Sequence, residues 1–533
     1  MKKLDRTRVI FIAIVFIAVV IVGIALGYNQ LQKFLTSANP SDSASIPDVD
    51  LTSPDPIFGP DYAANNNLPD YVCGADAFGS YFVLQQMQIS GMDVEHGFNL
   101  GIVPFLVDDN PVYEISEEQR SALLEFGEWD CLLTTLDSVA LTSAGVITAI
   151  VDESAGADQL WAREITTIND LKGKRIAFSR GSVGEYFVYY TLSIARLNPR
   201  FDVTLVPTDS VMGAVESFNA GQADAVSGWE PDIYDAEASG GISLLSSNQL
   251  RIVVDVVVTS RQSIAEKADL VQSFHDAWFD TLKNQVENFD QAAADIAAWG
   301  HNDWSYVYPE SASEDMRLWL ENIAQADLSD NIFVMRDPTP IIRQLETARR
   351  VWAASGLPVP DDAANELVNT GFVSRSASQA SLQANGAPVN DTFSISSEFD
   401  LSSVNTDDAA TLAVLPCRRF AFLPESTELT LESRRILDEC VVPILQQSVG
   451  LFLQVEGSSA WPGPAGTYTA DEIQEFAEAR AQSVVDYLVS QGVDPARFIV
   501  AGVLPDAAHW ETEDPDLQAE DRYVEMTLIT AGR

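Results

Sequence analysis

Residues 170–186 read DLKGKRIAFSRGSVGEY, and this stretch decides which fold the sequence predicts. Residues 175–178 form a short, largely apolar run with the length of a buried strand. Gly181 and Ser182 follow this run, and a helical pattern then covers residues 186–196. A strand that passes through a glycine-containing turn into a helix is the repeating unit of α/β folds.

The same alternation continues on both sides of this stretch. Helical patterns separate further strand-like runs, which lie at residues 71–73, 131–133, 146–151, 203–206 and 225–226. Beyond them, residues 264–286 keep apolar side chains at helical spacing. We therefore predict an α/β fold in which a parallel sheet carries helices on both faces.

Two segments rich in Pro, Ser, Asp and Asn lack any hydrophobic period and are typical of linkers. The chain has 533 residues, which is enough for several domains with cores of their own. The resulting plan is a basic tail at 1–8, an apolar segment at 9–27, a linker at 28–66, a large domain at 67–373, a second linker at 374–411 and a small C-terminal domain at 412–533.

Residues 9–26 read VIFIAIVFIAVVIVGIAL and follow the basic sequence MKKLDRTR. At about 1.5 Å per residue, a helix of this length just crosses a ~30 Å hydrocarbon core. The basic flank predicts a single-pass anchor in a bacterial cell membrane, with the bulk of the chain extracytoplasmic. A cleaved signal peptide is the alternative, because Ala25, Leu26 and Gly27 resemble a cleavage site, although signal peptides usually carry only ~7–15 apolar residues. Both alternatives export the chain.

The charge and the cysteines exclude some functions and favour others. The chain carries 78 acidic and 31 basic residues, for a net charge of −47, which excludes nucleic acid as a partner. Four cysteines in an exported chain allow two disulfides with three possible connectivities. Their placement in two separate regions favours Cys73–Cys131 and Cys417–Cys440. The four histidines show no metal-ligand spacing, so no metal site is predicted.

Several ordered segments of the large domain carry a family resemblance. They are FGEWD at 126–130, DESAGAD at 152–158, DLKGKRIA at 170–177, GSVGEY at 181–186, and AGQADA at 220–225 leading to WEP at 229–231. Together they resemble the NitT/TauT-like, SsuA-type group of periplasmic solute-binding proteins of ABC importers, over roughly residues 70–373. The resemblance implies a two-lobed periplasmic-binding-protein fold that closes on a small molecule, with an ABC permease as partner.

Ligands of open α/β sheets bind at the carboxyl ends of strands. This rule and the resemblance together place the candidate ligand-binding residues at predicted strand ends, namely Asp76, Phe78, Thr135, Asp137, Ser154, Asp158, Ser182, Val183, Glu185, Trp229, Glu230 and Asp232. Each also has a structural alternative. Ser182 is placed to cap its helix, with Glu185 three residues on as its capping-box partner, and Trp229 is suited to core packing.

Acidic and aromatic side chains dominate this candidate set, and Arg180 is the nearest base. A simple anion needs paired Arg or Lys residues, or several backbone donors, to offset its desolvation. Carboxylates suit amine and hydroxyl donors, and aromatic faces suit cations or flat rings. The expected ligand is therefore a neutral or cationic small organic solute. No nucleophile stands near a suitable His in the sequence, so neither enzyme activity nor a cofactor is predicted.

The C-terminal region carries a second resemblance, in VEGS at 455–458, AEARAQSV at 477–484, GVDPARF at 492–498 and DRYVEM at 521–526. These segments resemble an OmpA-like domain, which implies an α/β sandwich of about four strands. Members that bind peptidoglycan use an Asp after the second strand and an Arg in the helix. Arg480 matches the Arg, but Ala460 stands near the position of the Asp, and Asp521 and Tyr523 replace the usual Asn and Arg. Peptidoglycan binding through Arg480 and a purely structural role for it therefore both stay open.

The sequence thus predicts a membrane-anchored extracytoplasmic solute-binding protein that captures a small organic molecule for an ABC importer. Its C-terminal domain is a degenerate OmpA-like unit with peptidoglycan as a candidate partner. The alternative is a ligand sensor or cell-envelope scaffold without a transport role.

Overall fold

The structure is a computed structural model that describes residues 53–65, 67–105, 115–379, 410–448 and 450–530. The anchor predicted over residues 9–27 lies outside these ranges, as do residues 28–52 and 380–409 of the predicted linkers. Within the described ranges, no helix combines the length and the apolar character that crossing a membrane requires.

The strands of the described residues are β1 Ile57–Phe58, β2 Asp70–Asp76, β3 Asn99–Phe105, β4 Cys131–Thr135, β5 Val146–Ser154, β6 Asp158–Ala162, β7 Arg175–Ser179, β8 Thr204–Thr208, β9 Ala225–Trp229, β10 Ile242–Ser246, β11 Val254–Thr259, β12 Ile323–Gln325, β13 Ala410–Ala421, β14 Phe452–Ser458, β15 Phe498–Val503 and β16 Tyr523–Thr530.

The α-helices are α1 Val83–Ser90, α2 Met92–Glu95, α3 Glu117–Glu125, α4 Leu136–Thr142, α5 Val183–Ile194, α6 Val211–Asn219, α7 Ser247–Leu250, α8 Arg261–Glu266, α9 Ala268–Glu287, α10 Phe289–Ala298, α11 Asn302–Ser305, α12 Ala312–Leu320, α13 Leu328–Arg336, α14 Thr339–Ser355, α15 Gly371–Ser376, α16 Leu431–Ile436, α17 Val442–Gln447, α18 Ala470–Ser490 and α19 Pro515–Glu520. Short 3-10 helices cover Gly79–Phe82, Ile168–Leu171, Asp232–Ser239, Ala364–Leu367, Pro495–Arg497 and Ala507–His509, and a short π-helix covers Leu437–Val441.

Two sheets build the large domain, and each is the centre of one lobe. The first lobe contains a sheet in the order β1-β3-β2-β4-β11-β5-β12, and the second lobe contains a sheet in the order β10-β6-β9-β7-β8. Strands β2, β3 and β4 are parallel, and so are β7, β8 and β9. Strand β11 is antiparallel to β4 and β5, and β6 is antiparallel to β9. The α/β class is confirmed, but the predicted parallel sheet is a pair of mixed sheets.

The mixed sheets arise because the chain passes between the lobes twice. The first crossing joins β5 to β6, and the second runs from β10 through α7 to β11. After the second crossing, β11 enters the first sheet between β4 and β5, so strands far apart in sequence become neighbours. Strand β11, with the sequence VDVVVT, is buried throughout, as four valines in six residues favour for a central strand.

Part of the segment expected to be a linker is structured. Ile57 and Phe58 pair antiparallel with β3 at the edge of the first sheet. The Phe58 ring stacks on Tyr62 with ring centroids 4.0 Å apart. Trp129 Nε1 donates to Ser53 Oγ at 2.9 Å. Aromatic contacts therefore hold residues 53–65 against the first lobe, although their Pro- and Asp-rich composition lacks a period.

Both predicted disulfides are confirmed. Cys73 and Cys131 lie opposite each other on the parallel neighbours β2 and β4 and are bonded. Cys417 of β13 is bonded to Cys440 of the short π-helix at Leu437–Val441.

The C-terminal region contains a sheet in the order β13-β16-β14-β15, so it has the four strands that the sequence predicts. Helix α18 packs closely on this sheet, and glycine at two positions makes that contact possible. A Cβ atom at Gly457 would lie 1.9 Å from the carbonyl oxygen of Ala477, and one at Gly502 would lie 2.3 Å from that of Gln474. Any larger side chain at either position would push the helix off the sheet.

The C-terminal region also contacts the second lobe and the second crossing. Asn169 Nδ2 donates to the Val414 carbonyl at 3.1 Å, and Val414 N donates back to Asn169 Oδ1 at 2.8 Å. The hydroxyls of Tyr190 and Ser448 lie 3.2 Å apart. Gly450 N donates to the Gln249 carbonyl at 3.1 Å. The region is therefore attached to the large domain at three separate points.

Candidate functional site

A cavity of about 70 Å³ lies between the two lobes, with room for a molecule larger than one water. Strand ends and helix starts from both sheets surround it, as expected for a ligand site in an α/β fold. Its lining residues are Asp76, Phe78, Tyr81, Phe105, Arg120, Leu133, Thr134, Thr135, Ser138, Asp158, Gly181, Ser182, Val183, Trp229, Val253 and Asp255.

The cavity brings together residues that the sequence predicted from both lobes. The first lobe supplies Asp76, Phe78 and Thr135, from the ends of β2 and β4 and the turn after β2. The second lobe supplies four more of the predicted residues, which are Asp158, Ser182, Val183 and Trp229.

Other predicted residues do not line the cavity, and three of them are fixed by contacts of their own. The Ser154 hydroxyl lies 2.7 Å from the Ser247 hydroxyl, where it joins the two crossings. Glu185 accepts a hydrogen bond from Gly181 N at 2.7 Å. Glu230 accepts from Asn322 Nδ2 at 2.9 Å. Each carboxylate or hydroxyl thus stabilises a local turn or a lobe contact.

Asp137 and Asp232 also lie outside the lining. Asp137 is buried in the first turn of α4, and burial raises the pKa of its carboxyl to about 7. Its neighbour Ser138 lines the cavity instead. Asp232 is half-buried in the 3-10 helix that follows β9.

Helix α5 begins at the cavity. Ser182 is its N-cap, and its hydroxyl accepts from Gly184 N at 3.1 Å while donating to the Ser179 carbonyl at 2.7 Å. Glu185 reaches Gly181 N and not the N-cap nitrogen, so the predicted capping box does not form. Gly181 has φ 69°, a left-handed conformation that favours glycine. The first turn of α5 therefore presents backbone N–H groups to the cavity.

A buried carboxyl pair, which sequence reasoning missed, has one of its two members, Asp255, in the cavity lining. Asp255 of β11 is opposite Asp152 of β5, and the two carboxyl groups are hydrogen-bonded. Ser80 donates to Asp152, and Tyr81 donates to Asp255. Burial and mutual repulsion raise the pKa of Asp152 well above its usual value, and burial raises that of Asp255 to about 6. Such a pair shares one proton at neutral pH.

Asp158 is a third buried acid, at the first residue of β6. Its backbone N donates to the hydroxyls of Ser154 and Ser247, each at 3.2 Å, so the residue is fixed where the two crossings meet. Its side-chain Oδ1 has no hydrogen-bond partner among the described residues. Burial, with the negative charges of Asp255, Asp137 and Glu230, raises the pKa of Asp158 to about 8.

Arg120 is the basic residue of the cavity lining, and sequence reasoning missed it. It lies in α3, where the guanidinium packs 4.5 Å from the centre of the Phe105 ring and donates to Glu117. Its Nε and Nη1 groups have no hydrogen-bond partner within the described part of the chain. Arg180, the base expected nearest to the ligand, is exposed and does not line the cavity. The sequence EEQRSALLE of α3 is typical of a solvent-facing helix, so it gave no reason to place Arg120 in a binding cavity.

Three comparisons with known proteins bear on this cleft. A model of the NMT1/THI5 like family matches residues 146–292. This match spans both crossings and the whole of the second sheet. No curated protein matches the chain.

The solved structures that align with this chain include solute-binding proteins and also the desulfurization enzyme DszB, which is 18% identical, with a TM-score of 0.38, over 58% of this chain and 99% of its own. The alkanesulfonate-binding protein SsuA from Xanthomonas axonopodis pv. citri bound to MOPS is 17% identical, with a TM-score of 0.43, over 56% of this chain and 98% of its own. SsuA from Escherichia coli, which binds aliphatic sulphonates, is 15% identical, with a TM-score of 0.44, over 56% and 92%. The nitrate-binding protein NrtA from Synechocystis PCC 6803 is 12% identical, with a TM-score of 0.43, over 61% and 92%.

Metal chemistry has no support in the described residues, where no group of three or more His, Cys, Asp or Glu is placed to hold an ion. What the cleft offers is hydrogen bonding and charge. It combines carboxyl groups, one guanidinium, the N-terminus of a helix, hydroxyls and aromatic rings on opposite sides of one small space.

Proposed function

We propose that this chain is an extracytoplasmic solute-binding protein that closes its two lobes on a small organic molecule and presents it to the permease of an ABC importer. The single observation that carries the proposal is the composition of the cavity lining. Residues from both lobes, among them Phe78 and Trp229, meet around a space that no single lobe could form. Binding and release of a ligand there require only rotation about the two crossings.

The extracytoplasmic location and the membrane anchor at residues 9–27 belong to this proposal. Both disulfides support it, because disulfides persist in oxidising compartments outside the cytoplasm. We propose a binding role and no catalysis. The cavity lining contains neither His nor Cys, so its chemistry consists of carboxyls, hydroxyls and one guanidinium.

The proposal is tested by native mass spectrometry of the full-length protein, purified in detergent from its own host. A small molecule that is retained and then released by mild denaturation supports the proposal. That molecule should bind again in a calorimetric titration. A protein that carries and binds no small molecule would contradict a solute-binding role.

Trp229 gives this titration a specific variant. If its ring contacts the ligand, Trp229→Ala should weaken binding at least tenfold, which corresponds to about 1.4 kcal/mol. Trp510→Ala is the matched control, because Trp510 is an exposed tryptophan of the C-terminal region. Equal affinities of the two variants would exclude Trp229 from the ligand contact.

A ligand sensor is the second candidate function, and the contacts of the C-terminal region favour it. Asn169 of the second lobe and Val414 of β13 exchange two hydrogen bonds. A rotation of the second lobe would therefore be transmitted through these hydrogen bonds to the C-terminal sheet. Hydrogen exchange of the full-length protein with and without ligand distinguishes the two functions. A sensor should change protection in residues 410–530, whereas a simple carrier should change it only around the cavity.

We also propose that residues 412–533 attach to the cell envelope, with peptidoglycan as the first partner to test. Arg480 is the candidate contact, but its guanidinium already donates to the carbonyls of Ser426, Ser458 and Leu423. Sedimentation of the full-length protein with purified sacculi tests the proposal, with Arg480→Lys as the variant. Weaker sedimentation of the variant supports a direct contact. If neither protein sediments, the region is a spacer or binds protein.

A further inference from the structure

The cavity is lined by a buried base and a buried acid that do not pair with each other. Arg120 is 6% exposed and Asp158 is 2% exposed, and both line the cavity. Nε and Nη1 of Arg120 and Oδ1 of Asp158 all lack a hydrogen-bond partner among the described residues. Buried polar atoms are normally hydrogen-bonded, so three unpartnered atoms around one cavity point to a molecule that binds there.

The acidic side of the cavity is suited to an ammonium group. Asp158 lies on the second lobe, and Asp255 lies on the first lobe, so two carboxyl groups approach the same space. The rings of Tyr81 and Trp229 also line the cavity and offer aromatic surface to a cation. A protonated amine brings three donors and a positive charge, which match the unpartnered oxygen and the excess of carboxyl groups.

The basic side of the cavity is suited to a planar or tetrahedral anion. The Arg120 guanidinium is backed by Phe105 and held by Glu117, which fixes it in one orientation. Its two free N–H groups form part of the fork that binds carboxylate or sulfonate oxygens in pairs. Val183, in the first turn of α5, lines the cavity as well, and the helix dipole there has the right sign, although the Glu185 carboxylate that accepts from Gly181 N offsets part of it.

A ligand with a single charge would match either the acidic side or the basic side of the cavity and would leave the other side without a partner. A simple anion would satisfy Arg120 but would bring negative charge toward Asp158 and Asp255. A simple amine would satisfy Asp158 but would leave the Arg120 donors buried without a partner, which is costly. A ligand with both charges satisfies both sides and enters the cleft with no net charge.

We infer that the cavity binds a compact zwitterion, with its protonated amine at Asp158 and its carboxylate or sulfonate at Arg120. This inference rests on the proposed solute-binding function and names the substrate class of the same site. It refines the expectation from the sequence, which saw the acids and the aromatic rings but not the arginine.

Calorimetric titration of the full-length protein with matched small molecules tests the inference. The zwitterionic probes are β-alanine, 4-aminobutanoate and taurine, and the singly charged probes are propionate, propane-1-sulfonate and propylamine. At least one zwitterion should bind ten or more times more tightly than each singly charged analogue of its size. A preference for taurine over β-alanine would assign the anionic group as sulfonate, and the reverse would assign it as carboxylate.

Two variants test which group of the ligand binds at Asp158 and which binds at Arg120. Asp158→Asn conserves shape and should remove the preference for β-alanine over propionate. Arg120→Gln should remove the preference for β-alanine over propylamine. Asp235→Asn and Arg336→Gln are the controls, because both residues are exposed on helices away from the cavity. They should leave all affinities unchanged.

The outcomes separate this inference from the proposed function. If a neutral or singly charged compound binds as tightly as any zwitterion, the inference is wrong and the solute-binding function stands. If Asp158→Asn unfolds, its loss of binding proves nothing alone, so the probe series on the wild-type protein decides. If no probe binds and the purified protein retains no small molecule, both the inference and the proposed function fall.

Discussion

Arg480 in the C-terminal region and Arg120 in the cleft are both buried guanidiniums, but they use their donors differently. Arg480 is 1% exposed, and it donates to three backbone carbonyls at 3.0 to 3.2 Å. Arg120 donates to a single carboxylate and keeps two N–H groups without a partner in the described chain. A buried guanidinium in which each of the three nitrogens donates a hydrogen bond stabilises a fold, whereas one with two nitrogens left without partners indicates a binding site.

Arg497 follows the pattern of Arg480. Its guanidinium donates to the carbonyls of Leu445, Leu451 and Ser448, and so joins the loop before β14 to the start of β15. The C-terminal region thus uses two buried arginines as internal crosslinks. The predictions below test this contrast, from the largest expected effect to the smallest.

Arg480→Leu should give the largest effect, a loss of about 3–5 kcal/mol in the free energy of unfolding of the C-terminal region. The change removes the guanidinium from a buried position and leaves the buried Ser458 carbonyl and the part-buried carbonyls of Ser426 and Leu423 without donors, and each unsatisfied buried group costs about 1–3 kcal/mol. Urea-dependent hydrogen exchange of the amides in residues 452–530 measures it, because the ten tryptophans of the chain prevent fluorescence from reporting on this region alone. Arg480→Lys should recover only part of the loss, because a single ammonium cannot reach all three carbonyls. A loss below about 1 kcal/mol would contradict the crosslink role.

Replacing Cys417 and Cys440 by serine should cost about 3 kcal/mol, since the disulfide closes a loop with a sequence separation of 23. The same unfolding measurement applies, with and without reductant. Reductant should lower the stability of the C-terminal region in the wild-type protein but not in the double variant, whose remaining disulfide, Cys73–Cys131, lies in the large domain. The ligand affinity of the cleft should stay unchanged, because this bond lies in the other region.

The ligand-free protein should lose stability as the pH rises from 5 to 8. Burial raises the pKa of Asp255, Asp137 and Asp158 to about 6, 7 and 8 respectively, so the native state holds protons that the unfolded chain has released. Stability contributed by a raised carboxyl pKa falls as pH increases, by roughly 1.4 kcal/mol per unit and per group. Asp158→Asn should reduce this slope by the contribution of one group, about 1.4 kcal/mol per pH unit, whereas Asp235→Asn should not change it. Equal slopes in both variants would show that Asp158 titrates normally.

Arg120→Gln should give the smallest change in stability, below about 1 kcal/mol, and a large change in binding. The unpartnered N–H groups contribute nothing to folding, and the ion pair with Glu117 lies within one turn of α3. Thermal unfolding without ligand measures the first quantity, and the shift produced by a bound zwitterion measures the second. A loss of stability as large as that of Arg480→Leu would remove the contrast between the two arginines.

The sequence predicted the elements that obey local rules. The strand at residues 175–178 and the helix that Ser182 caps lie within one short segment, and the structure has β7 and α5 there. Both disulfides followed from the placement of the cysteines. Segments such as WEP at 229–231 led to Trp229, which lines the cavity.

The missed residues depend on contacts between distant parts of the chain. Asp255 becomes a partner of Asp152 only when β11 returns from the second lobe to the first sheet. Arg120 turns inward because Phe105 of β3 gives its guanidinium a surface to pack on. Ile57 and Phe58 join the first sheet by pairing with Ile102 and Gly101 of β3, more than forty residues later in the chain. None of these pairings leaves a pattern in the sequence.

The hydroxyl contact between Ser154 and Ser247 has a consequence for how the two lobes can move relative to each other. It fastens the two crossings to each other at 2.7 Å, and Gly156 N and Asp158 N donate to the same Ser247 oxygen. The two crossings are therefore tied to each other beside the cavity, and Asp158, which lines the cavity, is held at this tie. Under the proposed lobe closure, the tie would set where the lobes turn relative to each other, and the size of the ligand would determine how closely Arg120 of the first lobe approaches Asp158.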